Sequence, residues 1–345
     1  MKRFKNILLV CDEGGIHDAL FARPIRLAKL NDASVTLIDV IEAAPGELSR
    51  LFGSLPGATK KDVEAEVVTF HSARLAKIAA RFRAHRVETT QQVLQGIAFV
   101  EVIRKVLRDR PDLVMKGAVV DDRPRAPFFA STDMHLLRKC PCPVWIMNPG
   151  EHDHYPKVLA AVDPNHVDET TEPMNRLIMD LATSISQADD SALNIVSAWS
   201  LDEEGTLRDS GFEGISKDDV DRLVEQKRAD AERSVKELVA HYPDVDPSRQ
   251  IHLVKGSAET AIPDVAEREA VELIVMGTVG RTGIPGVIIG NTAEAILSRV
   301  KCSVLAVKPP DFETPVTLES DAKDTSRAAI VENLPIDGRA DAQST

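Results

Sequence analysis

The sequence predicts two tandem copies of one α/β domain, each built on a parallel sheet covered by helices, and three observations carry that reading. First, the chain repeats itself: at a constant offset of 160, Gly96 pairs with Gly256, Leu113 with Leu273, Gly117 with Gly277, Thr132 with Thr292, Cys142 with Cys302, Val144 with Val304 and Pro149 with Pro309. The openings match at a slightly different offset, NILLVCD ending at Asp12 against KVLAAVD ending at Asp163. Self-similarity at a fixed period marks a duplicated unit. Second, short runs rich in Val, Ile and Leu alternate with longer segments of helical period, the pattern of parallel strands buried on both faces. Third, 345 residues suffice for two domains, each of roughly 150 residues.

The elements follow in order. In the first copy the strands are expected at 7–10, 35–40, 91–94, 113–115 and 144–147, with a long helix at about 62–85. A polar, Pro-terminated connection at 150–156 reads as the linker. The second copy is expected to have strands at 158–162, 193–198, 251–254, 273–276 and 303–307. Its plainest helix starts at Ser216 as N-cap, keeps Val220, Leu223, Val224, Ala231, Val235, Leu238 and Val239 on one face, and stops at Pro243. The expected domains are therefore 1–150 and 151–310. Residues 311–345 are acidic, lack sustained periodicity and are expected to form a disordered tail, with 328–334 as a candidate docking segment.

Charge divides the halves. Residues 1–150 carry +6, residues 151–309 carry −13 and the remainder −5, for a net −12. Opposite charge favours docking of the linked halves, and the acidic second half disfavours nucleic acid. The basic set Arg104, Lys105, Arg108, Arg110, Arg123, Arg125, Arg138 and Lys139 lacks interleaved aromatics. No apolar run reaches the length of a membrane span, and 7–10 is too short for a signal-peptide core. Four cysteines without paired C-x-x-C spacing fit a reducing compartment, so a cytoplasmic protein without structural zinc is expected. Cys140 and Cys142 flank Pro141 ahead of a buried strand, which reads as packing rather than redox chemistry. His152 and His154 have H-x-H spacing but no obvious third ligand beyond Asp153. His135 reads either as an anion donor or as an ordinary surface or core residue.

The loop after 273–276 carries the chemistry. It reads GTVGRTGIPGVIIGNTAEAIL, with Gly277, Gly280 and Gly290 spaced G-x2-G-x9-G and Asn291-Thr292 opening a helix. Glycines permit positive φ and close backbone approach, and the amides opening a helix attract phosphate. Neither G-x-G-x-x-G nor the Walker pattern fits, since no lysine follows Gly290. On the glycines alone, a ligand-free turn and a phosphate cradle weigh equally. Position favours the cradle, because ligands bind at the carboxyl ends of strands in open α/β sheets. On the same edge, Asp163 is placed to accept from an adenine amino group, to hold Mg2+ or to cap its helix. Ala198 offers backbone polar groups to a base, and Gly256 allows close approach.

These residues resemble the universal stress protein family, particularly its tandem E-type, over nearly all of 1–310. The glycine spacing is similar to that family's ATP-binding G-x2-G-x9-G-[S/T] motif, with Asn291 preceding the hydroxyl residue, and TDMHLLRKCPCPVW at 132–145 resembles the segment closing the E-type first domain. The resemblance implies Rossmann-like, adenine nucleotide alpha hydrolase-like domains with sheet order 3-2-1-4-5. It implies Asp163 and Ala198 near adenine, and phosphates along Gly277, Gly280, Gly290, Asn291 and Thr292. The first copy departs from the motif: Val120 and Ala130 replace glycines, and Asp121 and Asp122 repel anions, so its nucleotide loop reads as degenerate. Phe128 and Phe129 there read as core packing or as the lining of an apolar pocket.

The resulting functional expectation is a stress-response module that binds ATP or a related adenine nucleotide in its second domain, with no catalytic constellation. The alternatives are a weak ATPase or autophosphorylating switch using Thr292 or Ser298, and a carrier of an apolar or lipid-like ligand in the first domain. Edge strands 144–147 and 303–307 are expected to pair the copies as an intramolecular pseudo-dimer, a homodimer of whole chains being the competing arrangement.

Overall fold

The computed structural model of the chain describes residues 4–12, 18–42, 60–118, 129, 131–148, 154–164, 171–209, 216–278 and 290–318. The first half runs β1 (Asn6–Val10), α1 (Asp18–Asn31), β2 (Ser34–Ile41), α2 (Lys60–Ala84), β3 (Thr89–Gln95), α3 (Ala98–Asp109), β4 (Leu113–Gly117), α4 (Ser131–Lys139), β5 (Val144–Met147). The second runs β6 (Lys157–Ala161), α5 (Thr171–Asp189), β7 (Ala192–Trp199), α6 (Glu204–Asp209), α7 (Lys217–Val239) and α8 (Pro247–Gln250). It continues through β8 (Ile251–Lys255), α9 (Ala258–Arg268), β9 (Leu273–Gly277), α10 (Asn291–Arg299) and β10 (Ser303–Val307).

The strands do not form two separate five-stranded parallel sheets. They form one ten-stranded sheet of order β3-β2-β1-β4-β5-β10-β9-β6-β7-β8. Counted from its own first strand, each half follows 3-2-1-4-5, but the whole departs from that order because β5 and β10 pair antiparallel. Their register sets Val304 opposite Ile146, Leu305 opposite Trp145 and Ala306 opposite Val144. The physical reason is the unmet backbone donors and acceptors of an edge strand, which two adjacent edges satisfy in each other.

Side chains alternate across the pleat, and the sheet accordingly separates two apolar layers, each continuous across both halves. Ile7, Leu9, Val35, Leu37, Trp145, Val158, Ala160 and Leu305 face one layer; Leu8, Val10, Ile38, Val144, Ile146, Leu159, Val304 and Ala306 face the other. Helix α7 starts as its sequence dictates. Ser216 accepts from the Asp219 N–H while the Asp219 carboxylate accepts from the Ser216 N–H, a reciprocal box that satisfies two otherwise orphaned donors.

Side chains also tie the halves together. Arg23 of α1 is buried and pairs with Asp189 at the end of α5, its guanidinium 4.9 Å from the Trp145 ring and 4.7 Å from the Tyr155 ring. Asp189 also accepts from the Tyr155 N–H at 3.2 Å, and Arg26 donates to Ala188 O at 2.8 Å. On the opposite layer Arg138 of α4 pairs with Glu294 of α10. After β10 the described chain turns back across the first half, where Val316 packs on the core and Arg104 donates to Thr317 O at 3.3 Å.

Candidate functional site

Because β9, β6, β7 and β8 run parallel, their carboxyl ends share one edge of the sheet. Asp163 lies two residues beyond β6 on that edge. The Val162 N–H donates to Val196 O at 3.0 Å and the Asp163 N–H to Asn175 Oδ1 at 2.9 Å. Asn175 is buried on α5 beside Ile178 and Met179, so a helix side chain fixes the turn that presents Asp163. The sequence reading missed Asn175; its signal was an amide one turn ahead of that apolar face. Ala198 is partly exposed near the end of β7.

The glycines divide by role. Gly256 follows β8 with φ +136° and donates its N–H to Trp199 O at 2.9 Å. A Cβ there would meet nothing within 4 Å, so the backbone conformation, not crowding, selects glycine. Gly96 holds the matching place in the first half with φ +144°. Gly277 closes β9 without a positive φ, and a Cβ on it would make ordinary contact with Met174 at 3.5 Å. Gly280 lies outside the described residues.

Gly290 is the N-cap of α10, with φ −60° and ψ 142°, and donates its N–H to Thr278 O at 3.0 Å. Glycine has no side chain to accept from the first-turn amides, so Asn291 and Thr292 open a helix that receives no acceptor from its cap. Thr292 Oγ1 donates to Glu259 Oε1 of α9 at 3.4 Å, bringing a carboxylate the sequence reading did not include to the mouth of the helix. Ser298, next to last in the helix, donates its Oγ back to Ala295 O at 2.7 Å. The edge thus offers a carboxylate beyond β6 and an electropositive helix start beyond β9, a pairing suited to an adenine amino group and a phosphate.

The first half builds the same edge differently. Lys116, in β4, is fully buried, with Nζ 2.7 Å from Asp12 Oδ2 and 2.8 Å from Asp133 Oδ1, and it donates to Gly117 O at 3.0 Å. Burial works against its charge, but the two carboxylates outweigh that and raise its pKa above the ordinary lysine value. Asp133 sits in the first turn of α4, so the chain's own carboxylate occupies a helix start that would otherwise suit an anion. The residues first credited with disabling this copy, Val120, Asp121, Asp122 and Ala130, lie outside the described residues, as does Phe128. Phe129 is buried in the core.

The remaining candidates are placed as follows. His135 stacks on Phe99 with ring centroids 4.2 Å apart, and burial, with Lys139 and Arg138 nearby, lowers its pKa. Arg104 pairs with Glu101 and Lys105 with Asp109, so part of the basic set is neutralised locally. His152 lies outside the described residues. Among the described residues no cluster of three or more His, Cys, Asp or Glu side chains suits a metal ion, and no helix is long and apolar enough to cross a membrane.

Comparison with known proteins places this architecture. The sequence pattern of the Universal stress protein family matches residues 3–148 and again 154–308. Universal stress protein E of Escherichia coli K12 is 31% identical over 231 residues, covering 66% of this chain and 70% of that protein. The Universal stress protein E homolog of Haemophilus influenzae is 25% identical over 322 residues, covering 89% and 98%. A crystal structure of a functionally unknown Pseudomonas aeruginosa PAO1 protein shares the fold, with TM-score 0.69, 23% identity and coverage of 90% and 94%. A repeated ten-strand architecture, matched half by half along nearly the whole chain, makes this protein a member of the universal stress protein family.

Proposed function

We propose that the second half, residues 151–310, binds ATP or a related adenine nucleotide, and that the first half, residues 1–150, is a structural or partner-binding copy. The observation that carries this reading is the asymmetry of the two sheet edges. The first half fills its edge with the Asp12–Lys116–Asp133 triad, whereas the second has neutral Met276 and Ala293 where Lys116 and Asp133 stand. Asp163 and Ala198 then face the adenine, and the amides at Gly290, Asn291 and Thr292 receive the phosphates. Gly256 keeps the neighbouring backbone turn open, and Gly277 and Gly280 begin the loop. Bound Mg2+ would be shared between the phosphates and Asp163, since a hard cation prefers oxygen ligands.

The protein acts in this reading as a cytoplasmic regulatory binder whose β5–β10 seam makes it a pseudo-dimer within one chain. A second reading, slow hydrolysis or self-phosphorylation, draws support from Glu259, an acceptor already at the Thr292 hydroxyl. No Walker lysine is present to speed it. Native mass spectrometry of gently purified protein, followed by incubation with radiolabelled ATP, tests both. Co-purifying or readily added adenine nucleotide without turnover is expected. Absence of any adenine nucleotide binding at millimolar ATP would refute the first reading, and stoichiometric covalent label would establish the second.

A further inference from the structure

A pair of sulfurs at the seam has no part in the nucleotide site. Cys140 follows α4 with its N–H donating to Leu136 O, and Pro141 leads to Cys142, just ahead of β5. Both thiols are free and their Sγ atoms lie 3.6 Å apart. Cys140 is buried and Cys142, as a residue, partly exposed, so the pair lies just beneath the surface with Cys140 on the inner side. Closing a disulfide, with S–S of about 2.05 Å, asks for a small approach of two side chains held on either side of a single proline.

The charge around the pair is arranged to favour a thiolate. The carboxyl end of α4 opposes negative charge, so a stabilising cation has to come from elsewhere. Lys308, immediately after β10, supplies it from the other half: it is buried, and its Nζ donates to Leu137 O at 2.6 Å and to Thr278 Oγ1 at 3.0 Å. Burial lowers the Lys308 pKa to about 8, with the two sulfurs pulling it back up, so it remains largely charged at neutral pH. Burial raises the Cys140 thiol, but the hydrogen bond from Cys142 and the Lys308 charge outweigh it and hold Cys140 below the usual thiol range. The hydrogen bond to Cys140, then burial, raise Cys142. The first proton lost belongs to the pair, which shares the charge between its sulfurs.

The second half provides an internal contrast. By the 160-residue offset Cys302 matches Cys142, but Val300 stands in the place of Cys140, and burial pushes the lone Cys302 thiol up to about 12. Only the first half carries the pair.

We propose that Cys140 and Cys142 form a peroxide-responsive dithiol that closes to a disulfide, with Lys308 as the positioning cation for its thiolate. The Cys140 thiolate, reached by the small oxidant past the partly exposed Cys142, attacks one oxygen of hydrogen peroxide. The S–O bond forms, the O–O bond breaks, and the departing hydroxide takes a proton to become water. The Cys142 sulfur then attacks the Cys140 sulfenic acid, forming S–S and breaking S–O. The second hydroxide takes the remaining thiol proton and leaves as water. Two thiols lose two electrons, and one peroxide is reduced to two waters. A small strained disulfide of this kind is readily reduced again by thiols, which suits a reversible switch.

The test treats the reduced full-length protein with a few equivalents of hydrogen peroxide, blocks remaining thiols with N-ethylmaleimide under denaturing conditions, and maps the digest by mass spectrometry. The expected result is an unlabelled peptide spanning Cys140 and Cys142, two hydrogens lighter and restored by dithiothreitol, while Cys302 stays labelled. In Cys142→Ser, Cys140 is expected to accumulate as sulfenic acid trapped by dimedone. Lys308→Met, which keeps the apolar stem, is expected to slow closure by about tenfold, the thiolate fraction that one pKa unit carries. Full labelling of both cysteines, or their overoxidation without a disulfide, would overturn the dithiol. An unchanged rate in a folded Lys308→Met protein would overturn the part assigned to Lys308.

Discussion

At the carboxyl edge of the first half, Lys116 is enclosed between Asp12 and Asp133; at the matching edge of the second half stand Asp163, Met276 and Ala293. Among the described residues the two edges share their strand order, down to the positive φ at Gly96 and Gly256. A duplicated fold therefore leaves two equivalent sheet edges, which share Asp12 and Asp163 and differ at Lys116 against Met276 and Asp133 against Ala293. Where the protein supplies its own cation and a second anion, the edge is neutralised internally. Where these give way to Met276 and Ala293 ahead of an uncapped helix, with Glu259 at the Thr292 hydroxyl and Glu294 paired to Arg138, the cationic partner of Asp163 is left for a ligand or its metal to bring.

The most severe way to break this comparison is Lys116→Met, which puts the second-half residue into the first half while stranding Asp12 and Asp133. Removing one partner from a buried ion cluster typically costs about 3–5 kcal/mol, and urea denaturation is expected to show a loss of that size. Adding Asp133→Ala, which completes the second-half pattern, is expected to restore much of it. If Lys116→Met alone is neutral, the triad does not hold the first edge closed.

On the second edge, Gly290→Val is expected to weaken ATP binding at least a hundredfold, roughly 2.7 kcal/mol, with unchanged circular dichroism. Its φ of −60° suits any residue, so the effect comes from a side chain filling the phosphate space and not from backbone strain. Asp163→Ala is expected to weaken binding less. Calorimetry with unchanged affinity in a folded Gly290→Val protein would remove the site assignment.

A further difference is sensed by pH. Lys308 has its folded pKa lowered from 10.5 to about 8, so between these values the unfolded chain binds the extra proton. Lys308 therefore contributes stability that grows with pH through that window, by an amount on the order of 2 kcal/mol, read as the widening gap between the wild type and Lys308→Met, because the thiols of Cys11, Cys142 and Cys302, held above their usual range, pull total stability the other way. Denaturation midpoints at pH 7.5 and 10 read it out. The smallest contrast lies within the second edge itself: Gly256→Ala is expected to cost about 1 kcal/mol because of its positive φ, and Gly277→Ala to stay within about 0.5 kcal/mol.

Much of this was legible in the sequence. Apolar runs rich in Val, Ile and Leu located all ten described strands to within two residues, because strands buried in a parallel sheet leave compact apolar segments between the helical ones. Ser216 announced its helix for an equally local reason. The edge chemistry was harder to see. Lys116 ends an apolar run as if it were a strand boundary, and only the folded sheet shows its amine turned inward to carboxylates 104 and 17 residues away. Asn175 and Glu259 reach the second edge from helices, so neither lies next to the loop whose spacing first drew notice. Gly256 was read as a place of close approach, and its open surroundings show that local dihedral preference can produce the same residue. The continuity of the sheet depends on two strands that each close their own half of the chain.

That seam has a consequence for how the protein is made. β5 emerges from the ribosome with its outer backbone groups unmatched, and its partner β10 is the last of the described strands to be synthesised. At roughly 5–20 residues per second, the intervening stretch takes on the order of 10–30 s, during which Trp145 and its neighbours await a cover. Residues 1–150 made alone should pair with themselves in sedimentation, and should exchange that partner for residues 151–309 when mixed, unless Leu305→Pro spoils the second edge. Failure of the folded halves to associate at high micromolar concentration would contradict this. Tandem arrangement within one polypeptide then serves as timing: the strand that ends the exposure is always delivered, once, by the same translating ribosome.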